Sequence, residues 1–191
     1  MKLKGLDYLD ISSNFSDDEI MIQHSVREFV DNEITPLIDE HFKNATFPSE
    51  LIPKFSDMNL LGVNLPEEYG CGGLSHVAYG LVCQELERCD SGIRSFVSVQ
   101  GSLVMYPIFA YGTEEQRKKW LPKLASGEAI GCFGLTEPDY GSNPGGMVTT
   151  AKATDGGYIL NGAKMWITNG SVADVAVVWA KTDDGVVRGF L

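Results

Sequence analysis

Ile130-Gly131-Cys132-Phe133-Gly134-Leu135-Thr136-Glu137-Pro138-Asp139-Tyr140-Gly141-Ser142-Asn143-Pro144-Gly145-Gly146 is the stretch on which the fold turns. It opens as a short strand, with Cys132, Phe133 and Leu135 between small residues, and becomes a loop rich in hydroxyls and glycine. Glycine permits positive φ and leaves backbone N–H groups uncovered, as needed to wrap a polar planar ring or a pyrophosphate. Taken alone, the stretch reads equally well as a strand–turn junction. A second unusual segment, Lys164-Met165-Trp166-Ile167-Thr168-Asn169, follows about twenty residues later.

Upstream of this stretch the apolar pattern is helical. Ser16-Asp17-Asp18-Glu19 is a capping box, and Ile22, Val26, Phe29, Val30, Ile34, Leu37 and Ile38 recur behind it at helical spacing. Pro36 should kink or end that helix, because it lacks a backbone donor. A second helix is expected over residues 49–58 and a central, mostly apolar one over 75–89. Asp90-Ser91-Gly92 breaks the latter, and a further apolar helix runs through Val97, Val99, Leu103, Val104 and Ile108. Thr113 and Gln116 form another capping box, for a short helix that Pro122 should terminate. Beyond Ser126-Gly127 the period becomes strand-like. Residues 147–153, 158–160, 164–168 and 175–181 read as strands, with Asp155-Gly156 and Asn161-Gly162 as hairpin turns. The segregation predicts an α+β chain, with a helical domain over 1–126 and the start of an antiparallel β-domain over 127–191.

The 191 residues are 43% apolar and 21% charged, as in globular proteins. A net charge of −11 argues against nucleic acid or an anionic membrane as the main partner. No apolar run reaches the ~20 residues that span a bilayer. Cys71, Cys83, Cys89 and Cys132 form no C-x-x-C pair and are expected to be reduced packing residues. His24, His41 and His76 are too scattered to suggest zinc. The N-terminal residues lack both a secretory apolar core and an Arg/Ser-rich transit character.

Together, Phe133-Gly134-Leu135-Thr136-Glu137-Pro138 with Gly141-Ser142, and Trp166-Ile167-Thr168-Asn169, resemble the flavin-binding signatures of the acyl-CoA dehydrogenase family. The resemblance implies an FAD enzyme that oxidises the Cα–Cβ bond of an acyl-CoA thioester and passes electrons to an electron-transfer flavoprotein. It implies flavin contacts from Phe133, Gly134, Leu135, Thr136, Glu137, Pro138, Asp139, Tyr140, Gly141 and Ser142. Trp166 and Ile167 would pack by the ring, with Thr168 bonding near its N5. Ser142 would also touch flavin phosphate or the pantetheine arm. The family's usual next aspartate is Asn143 here.

Glu87-Arg88-Cys89-Asp90-Ser91-Gly92-Ile93-Arg94-Ser95-Phe96-Val97-Ser98-Val99-Gln100 further resembles the glutaryl-CoA dehydrogenases within that family, though Phe96 and Gly101 depart from their pattern. By that likeness Arg94 and Ser95 meet a distal substrate carboxylate, Ser98 adds a hydroxyl, and Glu87 orients the guanidinium. A guanidinium fork suits a carboxylate bidentately. From spacing alone, Arg94 reads as half of a salt bridge to Glu87 or Asp90. Two other readings stand beside this one: a dehydrogenase for short monocarboxylic acyl-CoA, and a non-catalytic binding chain.

In the resembled family the chain continues past this point into a C-terminal helical bundle carrying the catalytic glutamate. No catalytic base is therefore expected among residues 1–191, and these residues alone should not turn over. Family members are usually homotetramers, cytoplasmic in bacteria or in the mitochondrial matrix of eukaryotes.

Overall fold

The computed structural model describes residue 7 and residues 9–191. Among the described residues, seven α-helices precede the sheet. Helix α1 (Asp17–Phe29) starts on the expected capping box: Glu19 N–H donates to the Ser16 hydroxyl and Ser16 N–H to the Glu19 carboxylate. It does not stop before Pro36. A wide π turn (Val30–Ile34) carries it into α2 (Thr35–Asn44), and the Thr35 hydroxyl donates to the Val30 carbonyl at 3.0 Å. Pro36 lies in the first turn of α2, where the widened turn leaves no demand for its missing N–H.

Helix α3 (Ile52–Asp57) likewise has Pro53 in its first turn. Helix α4 (His76–Cys89) is capped by Ser75 and buries Ala78, Leu81, Val82, Glu85 and Leu86, as a central helix must. Asp90 ends α4 and caps α5 (Ser91–Ser98), accepting from Ile93 N–H at 2.9 Å. A second π stretch (Val99–Met105) leads into α6 (Tyr106–Tyr111). Thr113 and Gln116 cap α7 (Glu114–Ala125) reciprocally. Pro122 lies inside α7 rather than ending it. It is exposed and in the last turns, so its missing donor faces water rather than the core.

The core has two clusters. One gathers Val26, Val30, Ile34, Phe55, Leu86, Ile93 and Phe96 between α1, α3, α4 and α5. The other, around Val104, Met105, Ile108, Leu121 and Leu124, also takes in Val175 and Val177 of the sheet. Helical and strand residues thus share one interior.

The strands among the described residues are β1 (Gly131–Gly134), β2 (Thr150–Thr154), β3 (Gly157–Asn161), β4 (Val175–Lys181) and β5 (Val187–Phe190). The helices-then-sheet order stands, but the sheet is mixed, not antiparallel. β4 pairs parallel with β1, Gly131 opposite Val175, and antiparallel with β5. The parallel pairing is possible because some forty residues separate β1 from β4, enough for a crossover. Asp155-Gly156 forms the expected two-residue hairpin turn between β2 and β3, with Gly156 at φ 82°. Asn161-Gly162 does not turn a hairpin, because the chain beyond it runs irregularly up to β4, which pairs with β1, β2 and β5 and not with β3. Residues 164–168 run irregularly, held by side chains of Lys164 and Asn169 and one backbone hydrogen bond from Met165 instead of a ladder.

Candidate functional site

A cleft of about 250 Å³ opens between the π stretch and the two motif segments. Val99 and Leu103 form its helical wall; Phe133, Leu135 and Thr136 come from the end of β1; Trp166, Ile167 and Thr168 supply the opposite side. Most of this surface is apolar, with two threonine hydroxyls among the lining residues. Trp166 is 85% exposed and held at φ 59°, a left-handed conformation that costs an ordinary residue roughly 1–2 kcal/mol.

Two anchors bracket that indole. On one side Met165 N–H donates to the Thr136 carbonyl at 2.9 Å. On the other, Asn169, itself at φ 66°, donates from its amide to the carbonyls of Gly131 (3.2 Å) and Phe96 (3.4 Å). The left-handed positions therefore fall in the second motif. Glycines 131, 134, 141, 145 and 146 all lie outside the positive-φ region. Gly131 serves by close approach instead, since a Cβ there would sit 2.4 Å from the Val104 side chain.

Other residues of the first motif lie elsewhere. Glu137 turns inward and is buried, bonded by Val148 N–H (2.7 Å), Thr149 N–H (3.0 Å) and Lys164 Nζ (2.9 Å). It has no face left for a ligand. Burial alone would raise its pKa, but the hydrogen bonds from Thr149, Val148 and Lys164 outweigh that and hold it at about 2. Pro138, Asp139, Gly141 and Ser142 are exposed on the loop beyond, and Tyr140 closes a tight turn onto Glu137.

The second constellation is a polar seam between α4 and α5. Tyr79, Cys83 and Glu87 follow at i, i+4, i+8 on α4, while Arg94 and Ser98 on α5 are followed by Ser102 in the π stretch. Arg94 Nε donates to Glu87 at 2.6 Å and its Nη1 to the Ser98 hydroxyl at 3.1 Å. The Ser91 hydroxyl donates to the other Glu87 oxygen at 2.5 Å. The Asp90 carboxylate does not pair with the Arg94 guanidinium; it is spent on the α5 cap. Tyr79 and Ser102 share a hydrogen bond at 3.0 Å, and burial pushes the Tyr79 hydroxyl up to about 12. Ser95 is half-buried beside this seam, its carbonyl accepting from Ser98 at 3.2 Å. Val99 and Leu103 continue along the same helical run into the cleft, so seam and cleft share one wall.

Residues 16–128 match the family model described as acyl-CoA dehydrogenase, N-terminal domain, and residues 132–191 that described as its middle domain. The chain belongs to the acyl-CoA dehydrogenase family. It is 40% identical over 165 residues to an acyl-CoA dehydrogenase of Bacillus subtilis, covering 86% of this chain and 44% of that protein. It is 38% identical to the human short-chain specific acyl-CoA dehydrogenase, with 85% and 40% covered. The crystal structure of a glutaryl-CoA dehydrogenase from Mycobacterium smegmatis in complex with FADH2 superposes with a TM-score of 0.93 at 56% identity. That match covers 97% of this chain and 47% of the other. The chain thus spans less than half the length of these relatives.

In this member of the acyl-CoA dehydrogenase family, several residues that build the site escape a reading by motif. Gln100 is buried at the domain junction: its amide donates to the Leu124 and Ala129 carbonyls, both at 2.9 Å, and its oxygen accepts from Gly131 N–H at 2.8 Å. It thereby sets where β1 begins. Lys164 and Glu137 form a second hidden pair. The signal in the sequence is the lone cation Lys164 in an otherwise apolar and small-residue stretch, which needs a partner wherever it is buried.

Proposed function

We propose that this chain supplies the flavin cleft and the acyl pocket of an FAD-dependent acyl-CoA dehydrogenase acting on glutaryl-CoA, with electron-transfer flavoprotein as its electron acceptor. The lining of the cleft fits the group: apolar walls for a flat ring, hydroxyls of Thr136 and Thr168 for its polar edge, and the exposed Trp166 indole to pack beside it. FAD, when bound, supplies the hydride acceptor. Val99 and Leu103 exclude water from the reacting carbons. The α-proton would go to a base outside these residues.

The observation that carries the substrate reading is Arg94 with Ser98 and Glu87. Arg94 and Ser98 stand on the helical run that walls the cleft, Arg94 about one and a half turns before Val99 and two and a half before Leu103, while Glu87 reaches Arg94 from α4. A guanidinium there can pair a distal carboxylate, and the Ser98 hydroxyl can share it. Glu87 already holds part of the arginine's charge, so the carboxylate is gripped without being trapped. After Cα–Cβ oxidation that carboxylate can depart as CO2, its bonding electrons delocalising through the new double bond into the thioester carbonyl before reprotonation gives crotonyl-CoA. The same short Glu87–Arg94 contact also favours a second reading, in which Arg94 is structural and the substrate is a short monocarboxylic thioester.

Arg94→Ala in the full-length enzyme separates the two. The side chain is 35% exposed. The loss on glutaryl-CoA should therefore fall at the low end for stripping a charged partner, about 2 kcal/mol, or roughly 30-fold in kcat/KM. Butyryl-CoA, without a distal charge, should be turned over as before. Equal losses on both substrates would assign Arg94 to structure and return the enzyme to the short-chain class.

A further inference from the structure

The geometry points to Lys164 and Glu137 as positioning residues that clamp the two walls of the flavin cleft to each other. The inference rests on the flavin reading above. Three separate segments meet at this pair. Lys164 Nζ donates to the Leu135 carbonyl at 3.0 Å and to Glu137 at 2.9 Å, with Met147 Sδ at 3.9 Å. Glu137 in turn accepts from the backbone of Val148 and Thr149. One residue further on, Met165 N–H bonds the Thr136 carbonyl.

These contacts lie directly behind the lining. Leu135 and Thr136 precede Glu137 on one wall; Trp166, Ile167 and Thr168 follow Lys164 and Met165 on the other. The side chains of Lys164 and Glu137 are 12% and 1% exposed. A charge pair that deep carries a desolvation cost that apolar residues of similar volume avoid. What it adds is direction: an ammonium and a carboxylate fix several donors and acceptors at set angles, where an apolar contact fixes none. The strained Trp166 backbone needs such fixing. A left-handed non-glycine residue persists where its surroundings over-determine it, and the Lys164 clamp and the Asn169 anchor do so from either side. Loosening the clamp should let Trp166 relax away from the ring and Thr136 drift from the ring's edge.

The test uses the full-length protein with FAD itself as the probe. Lys164→Met and Glu137→Gln should each weaken FAD binding ~10- to 100-fold, the loss of one or two charge-assisted hydrogen bonds acting through the walls. At saturating FAD the visible spectrum of the bound flavin should still differ from that of the unaltered protein, because the indole is displaced. Lys164→Arg keeps the charge but replaces the compact ammonium with a larger planar group, and should give a smaller loss of the same kind. Glu85→Gln is the control. That equally buried carboxylate pairs with Arg27 and Arg88 away from the cleft, so its loss should lower the unfolding midpoint and leave the bound-flavin spectrum unchanged. If Lys164→Met does not fold, Lys164→Arg and Glu137→Gln carry the test. Wild-type affinity and spectrum in whichever variants fold would overturn the clamp. A full-length protein that retains no FAD at all would overturn the flavin reading instead.

Discussion

Glu137 with Lys164 and Glu87 with Arg94 are the same kind of pair, at 2.9 and 2.6 Å, placed in two very different surroundings. The first is sealed between loop segments behind the cleft, and its carboxylate also takes two backbone N–H groups. The second lies on the α4–α5 surface, with Glu87 46% exposed and the arginine reaching only a serine besides. Distance does not distinguish them; burial and the number of competing partners do. A sealed pair has one geometry available and suits holding a scaffold. A half-open pair can exchange its partner for a ligand at small cost, because water and Ser98 solvate whichever group is released.

The widest gap between the two should appear in stability. Glu137→Ala strands Lys164 in a buried site and removes the acceptor for two backbone donors, so unfolding in urea should show a loss of about 3–5 kcal/mol. A loss below 1 kcal/mol would mean that the pair is solvated in solution and that the contrast drawn here fails. Acid should sharpen the comparison further. Glu137 is held at about 2, below its ordinary value of 4.5, so its contribution is complete above 4.5 and fades as pH falls from there toward 2. The unfolding midpoint should drop through that window, and Glu137→Gln should flatten the drop.

The smallest effect on stability belongs to Glu87→Gln. The Glu87 carboxyl is lowered by its hydrogen bonds from Arg94 and then Ser91, but it stands in water, and the unfolding midpoint should not move measurably. Its effect should surface in catalysis. With Arg94 freed of its internal partner, glutaryl-CoA should bind more tightly and leave more slowly, lowering KM and kcat together, while butyryl-CoA kinetics stay constant. A stability loss without a substrate-selective change would make Glu87 a structural residue like Glu137.

How far the sequence reaches differs between these two places. The Arg94 seam was partly legible because its residues sit within twelve positions: Arg94 and Ser98 are one turn apart on α5, and Glu87 lies in the last turn of α4, across the break at Asp90, which left Glu87 and Asp90 both open as partners of the arginine. Glu137 and Lys164 are separated by twenty-seven positions that include a loop and a hairpin, so nothing local announces their meeting. Reading Glu137 as a ligand contact follows from its place in a motif; its inward turn follows from Val148, Thr149 and Lys164.

The same division runs through the whole chain. Capping at Ser16 and Thr113, the Asp155-Gly156 turn, and the order of helices before strands were settled by the sequence itself, because each depends on residues a few positions apart. The tertiary structure alone decided the parallel pairing of β1 with β4, the left-handed Trp166, the irregular path of residues 164–168 and the passage of a helix through Pro36. Residues 164–168 have strand-like composition, yet the buried charge of Lys164 and the amide of Asn169 find distant partners that a ladder could not provide. Contacts closed across long loops outweigh weak local preferences when they satisfy buried polar groups, whose cost if left unpaired is larger than any propensity.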